Sequence, residues 1–79
     1  MRIDKYLKVS RIIKRRTLAN EACDKGRVTI NGKLAKPGSE IDVGDEVEIR
    51  FGNGTTRIKI LTVTEHIRKE EAKEMYTLL

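Results

Sequence analysis

The dipeptide Asn31-Gly32 marks the point at which the spacing of apolar residues changes, and no other feature of the sequence constrains the fold as strongly. A type I′ turn requires positive φ at both central residues, and Asn-Gly is a pair that meets this demand readily. Ahead of it Val28 and Ile30 alternate with Arg27 and Thr29; beyond it Lys33, Leu34 and Ala35 form the returning strand. The chain commits to a β-hairpin here, and the segment before it follows a different period.

That earlier period is helical. Within Arg2 to Val9, Ile3, Tyr6 and Leu7 follow the i, i+3, i+4 spacing of one helix face, while Arg2, Lys5 and Lys8 recur every three residues on another. A second helix is predicted over Arg16 to Lys25, with Leu18, Ala19, Ala22 and Cys23 as its apolar stripe and Gly26 as its C-cap. After the hairpin, Pro37-Gly38 and Val43-Gly44-Asp45 turn the chain into a third strand, where Val47, Ile49 and Phe51 alternate with charged residues. Gly52-Asn53-Gly54 turns it again into a fourth strand over Arg57 to Val63, with Ile58, Ile60 and Thr62 inward. Arg68 to Met75 has helical composition, and Tyr76 to Leu79 reads as a final extended segment. The expected fold class is α+β: two N-terminal helices, a small and mostly antiparallel sheet, and a short C-terminal helix.

Seventy-nine residues suffice for one domain with one core. Only Tyr6, Phe51 and Tyr76 are aromatic, so the core must come mainly from Ile, Leu, Val and Ala and is expected to be thin. The lone Cys23 excludes an internal disulfide, and with the single His66 it supplies no metal-ligand set. Cys23 fits a small buried hydrophobe better than a nucleophile, and His66 fits an ordinary surface histidine. No cofactor is expected. No apolar run is long enough to span a bilayer, and Arg2, Asp4, Lys5 and Lys8 interrupt any signal-peptide pattern, which predicts a cytoplasmic protein.

The charges are divided along the chain. Residues 1 to 36 hold eleven basic and three acidic side chains, a balance of +8, whereas residues 37 to 79 hold six and nine, a balance of −3. A one-sided positive field attracts polyanions, so RNA, DNA and anionic membrane surfaces are the candidate partners, with a merely solvated surface as the alternative. The densest basic cluster, Arg11, Lys14, Arg15 and Arg16, falls between the two helices and at the start of the second. Exposed N–H groups at a helix start favour anions, and arginine can grip phosphate through two hydrogen bonds. Asp4 reads as a helix N-terminal acid or an arginine partner rather than a catalytic carboxylate.

Arg2-Ile3-Asp4-Lys5-Tyr6-Leu7, Arg16 with Ala19, Gly26-Arg27-Val28-Thr29-Ile30-Asn31-Gly32, and Gly44-Asp45 with Val47 together resemble the RNA-binding domain named after ribosomal small-subunit protein four, the alpha-L motif. The resemblance covers about residues 1 to 52, leaving 53 to 79 as sheet completion and tail. Lys14-Arg15-Arg16-Thr17-Leu18-Ala19 and the chain length are most similar to the ribosome-associated bacterial heat-shock proteins and, more closely, to quality-control factors of the RqcP type.

The resemblance implies a non-enzymatic protein that binds large-subunit ribosomal RNA and adjacent peptidyl-tRNA as a monomer. It would act in quality control of stalled nascent chains, beside a chain-extending factor of the RqcH type. It implies an RNA face on the two helices using Arg2, Lys5, Arg15 and Arg16; Lys8, Arg11 and Lys14 extend the same basic surface. Arg15 departs from the Ser or Thr often found there, giving up a capping hydroxyl worth ~1 kcal/mol for a cation. Two alternatives are a detached targeting module of an RNA-modifying enzyme, which this chain could be only without a catalytic region of its own, and an adaptor for an acidic protein. Without Trp, the chain lacks platforms for stacking single-stranded bases, which favours a structured RNA. Removing Arg2 or Arg16 is expected to leave folding nearly intact.

If phosphates dominate recognition, affinity for large-subunit RNA falls by orders of magnitude over a few-fold rise in salt, as displaced cations return to the RNA. Titrations at several potassium concentrations measure this, and a flat dependence rules out a phosphate-led mechanism.

Overall fold

A computed structural model describes residues Met1–Leu79. Helices α1 (Ile3–Val9) and α2 (Arg16–Asp24) pack on one another and on one face of a five-stranded antiparallel sheet. The strands are β1 (Val28–Ile30), β2 (Lys33–Leu34), β3 (Glu46–Phe51), β4 (Gly54–Ile60) and β5 (Tyr76–Leu78), in the order β2-β1-β3-β4-β5. A 3-10 helix, Lys69–Met75, precedes β5. This is the α+β arrangement predicted, with the tail wound as 3-10 rather than α-helix.

The hairpin register follows from its turn. Asn31 (φ 51°) and Gly32 (φ 85°) both lie in the left-handed region, pairing Ile30 with Lys33 and Thr29 with Leu34. The Asn31 side chain also reaches the turn before β3: its Nδ2 donates to Asp45 Oδ1 at 3.1 Å, and its Oδ1 accepts from the Glu46 N–H at 2.9 Å. One residue thus makes the turn and anchors β3 beside it.

Alternation places Val47 and Ile49 of β3 and Ile58 and Ile60 of β4 on the helix-facing side, with Val28 from β1. Ile3, Tyr6 and Leu7 of α1 and Ala19 and Cys23 of α2 close over them. Leu18 and Phe51, read as inward from their spacing, are 49% and 39% exposed, because each sits at the margin where α2 meets the end of the β3–β4 hairpin. Cys23 is buried, and its thiol is pushed up to about 11 by burial, then by Asp4 and Asp24, so it stays protonated and unreactive.

The fourth strand begins earlier and ends sooner than its alternation suggests, and Thr62 is exposed. The reason is a single acceptor: the N–H groups of Leu61 and Thr62 both turn to the Met75 carbonyl, at 2.8 and 3.1 Å. The buried Tyr6 hydroxyl donates to the same oxygen at 2.9 Å, joining α1 to the end of the 3-10 helix. Burial and the nearby Tyr76 push the Tyr6 phenol well above its ordinary range, so it remains a donor at any physiological pH.

Tyr6→Phe keeps the ring but removes this bond, and stability should fall by ~0.5–1.5 kcal/mol in denaturant melts. Replacing Asn31-Gly32 with Val-Val forces β-branched residues into positive φ and removes the Asp45 and Glu46 bonds. Its melting temperature, followed by circular dichroism, should drop clearly below the parent's. An unchanged melt combined with lost RNA binding would instead make Asn31 a contact residue.

Candidate nucleic-acid interface

Asp4 organises the basic residues of the helix pair. It lies in the first turn of α1, where an acid is favoured, yet it is only 2% exposed. Its Oδ1 accepts the Lys5 backbone N–H at 2.7 Å, and Arg16 Nη2 approaches the same oxygen at 3.5 Å. Arg2 Nη2 donates to Oδ2 at 3.1 Å. Two arginines from different elements therefore bracket one buried carboxylate while their side chains stay about half exposed, 49% for Arg2 and 47% for Arg16. A guanidinium has five donor hydrogens, so contact with Asp4 leaves donors on each free to face solvent or a ligand.

The backbone holds Arg2 in place. It is the extended residue before α1, bridged to Glu40, and the adjacent Ile3 N–H donates to the Ser39 carbonyl at 2.7 Å. The guanidinium lies against Gly38, where a side chain would meet it. Arg15 caps the start of α2 in an extended conformation with no side-chain hydrogen bond, as expected where a capping Ser or Thr is missing.

The remaining basic residues sort differently from their sequence grouping. Lys5 turns to the segment after β4, donating to Glu65 at 2.6 Å, and this hydrogen bond and charge hold the Glu65 carboxyl below its ordinary range. Lys8, Arg11 and Lys14 line a separate concavity with His66 and Lys69. The structure thus brings Arg2 and Arg16 together on Asp4 and sets Lys8, Arg11 and Lys14 together beyond them. Glu65 and Lys69 carried no sequence signal for this placement, which depends on the path of the chain after β4.

One expectation needs correction. Arg2 and Arg16 are not simply exposed cations that can be deleted without effect on folding, because both are partners of a buried carboxylate. Truncating either removes a charge-assisted hydrogen bond, a loss of about 1 kcal/mol or more. Tyr6, the aromatic nearest the basic helices, is fully buried and offers no stacking surface. No helix is long and apolar enough to cross a membrane.

Comparisons with known proteins agree with this geometry. The S4 domain family matches residues 1–47, the span that contains both helices, Asp4 and its arginines. Over all 79 residues the chain is 56% identical to the RQC P-site tRNA stabilizing factor of Listeria innocua, covering 86% of that protein, and 51% identical to the factor of the same name from Bacillus subtilis, covering 92%. The solved trimeric structure of Vibrio cholerae heat shock protein 15 superposes with a TM-score of 0.93 at 31% identity, covering all of this chain and 81% of that one. The chain belongs to the S4 domain family and, within it, to the group of RQC P-site tRNA stabilizing factors.

Proposed function

We propose that this protein is a non-enzymatic factor that binds the large ribosomal subunit in the cytoplasm and stabilises P-site tRNA there during quality control of stalled nascent chains. The observation that carries this reading is identity above half with P-site tRNA stabilizing factors over the full length of the chain. The geometry supplies a physical means. Arg2 and Arg16, held by Asp4, present preorganised guanidiniums to RNA phosphates, with Arg15 beside them at an uncapped helix start. Lys8, Arg11 and Lys14 extend the positive surface, while Lys5 supports it from Glu65. Residues 1 to 79 act as one RNA-binding domain, in single copy, and leave any extension of the nascent chain to a separate factor of the RqcH type.

This reading favours shape and phosphate recognition of folded RNA over base stacking, since Tyr6, the one aromatic on the two helices, is fully buried. Arg57, the sheet cation, lies between Glu46 and Glu48 at 3.6 and 3.7 Å, so its charge is locally balanced.

Arg16→Ala should weaken cosedimentation with large subunits by ~1–3 kcal/mol, and Arg2→Ala should act in the same direction. Arg16→Lys keeps the charge but loses the fork and should recover only part of the binding. Arg57→Ala should cost little. Melts of each variant separate the folding contribution through Asp4 from the loss of RNA contacts. Equal losses for Arg16→Ala and Arg57→Ala would mean general electrostatic attraction and no local docking face.

A further inference from the structure

The concavity beyond the Asp4 site is built by two distant parts of the chain. Lys8 lies in the last turn of α1, Arg11 and Lys14 lie in the loop to α2, and Lys69 starts the 3-10 helix, outside the span that the S4 domain family matches. The space they line measures 560 Å³, ample for a sugar-phosphate unit. None of the four cations has a carboxylate within ion-pair distance, and all four are exposed. The one acid on the wall, Glu65, is already occupied by Lys5 at 2.6 Å, a contact that also ties the wall to α1.

The end of α1 brings one of these cations into place. Arg11 adopts φ 63°, in the left-handed region that non-glycine residues rarely occupy. Glycine would fit there without strain, yet the position carries an arginine whose side chain lines the concavity. The turn belongs to the fold, since it closes α1 just past its C-cap Ser10 with the Arg11 N–H donating to the Lys8 carbonyl at 3.1 Å, and it sets the Arg11 side chain on the wall of the concavity. Lys8 lies one turn beyond Asp4 on α1, so the concavity and the Arg2–Asp4–Arg16 site share one side of that helix.

We infer that Lys8, Arg11, Lys14 and Lys69 form a second phosphodiester-binding site, which grips RNA backbone alongside the Asp4-held arginines and makes the tail beyond the S4 core part of the RNA surface. This rests on the docking reading above and deepens it. The ligand is an RNA phosphate, from ribosomal RNA or from the bound tRNA.

The test uses the full chain and purified large subunits, either vacant or carrying peptidyl-tRNA, across a potassium chloride series. Lys14→Ala/Lys69→Ala should bind about tenfold more weakly, with the slope of log affinity against log salt reduced by about 2. Lys33→Ala/Lys59→Ala loses the same charge from the sheet and should leave the slope unchanged. A loss already present on vacant subunits assigns the phosphate to ribosomal RNA; a loss confined to loaded subunits assigns it to tRNA. Arg11→Gly should melt no lower than the parent, since strain is relieved, yet bind several-fold more weakly. If Lys14→Ala/Lys69→Ala matches Lys33→Ala/Lys59→Ala while Arg16→Ala still loses binding, the second site is wrong and the docking face stands. If Arg16→Ala also binds like the parent, both fall.

Discussion

The hydrogen bond from Tyr6 to the Met75 carbonyl fixes how the two halves of this protein meet. One backbone oxygen, in the core, accepts from the Tyr6 hydroxyl and from the N–H groups of Leu61 and Thr62. Three elements converge there: α1, the end of β4 and the 3-10 helix. In a core with few aromatics, a directional bond of this kind sets relative positions that apolar contact alone leaves loose. It ends β4 at Ile60, sends the chain back along α1, and so delivers Glu65 to Lys5 and Lys69 to the basic concavity.

Asp4 does for charge what Tyr6 does for packing. A buried carboxylate needs several donors, and here they are the Lys5 N–H and two arginines from separate elements. The consequence reaches function, because guanidiniums fixed by a buried anion lose less side-chain freedom on meeting a phosphate than free ones would. The same acid that satisfies the fold thereby prepares the surface, and folding and binding share Arg2 and Arg16. A net positive field alone would attract RNA without orienting it.

Much of this was legible in the residues. The 3.6-residue spacing of Ile3, Tyr6 and Leu7, the positive-φ pair Asn31-Gly32, and the alternation of Val47 with Ile49 each depend on neighbours in sequence, so local geometry settles them. The clustering of cations in the first 36 residues likewise follows from composition. Asp4 as an arginine partner was also foreseeable, since acid and base sit close together in the first turn.

What the sequence by itself determined, then, was the helix pair, the hairpin, the strand faces and the sign of the surface. Tertiary structure alone decided that Thr62 leaves the sheet, that Leu18 and Phe51 stay at the margin, and that the tail winds as 3-10 helix. It also decided that Arg16 shares Asp4 with Arg2, and that Lys69 joins Lys8, Arg11 and Lys14. The path of the chain after β4 turns on which distant groups reach the Met75 carbonyl, and the pairing of Arg2 with Arg16 on which reach the Asp4 carboxylate. Such a competition is settled by packing in three dimensions, and residue spacing along the chain carries no record of it.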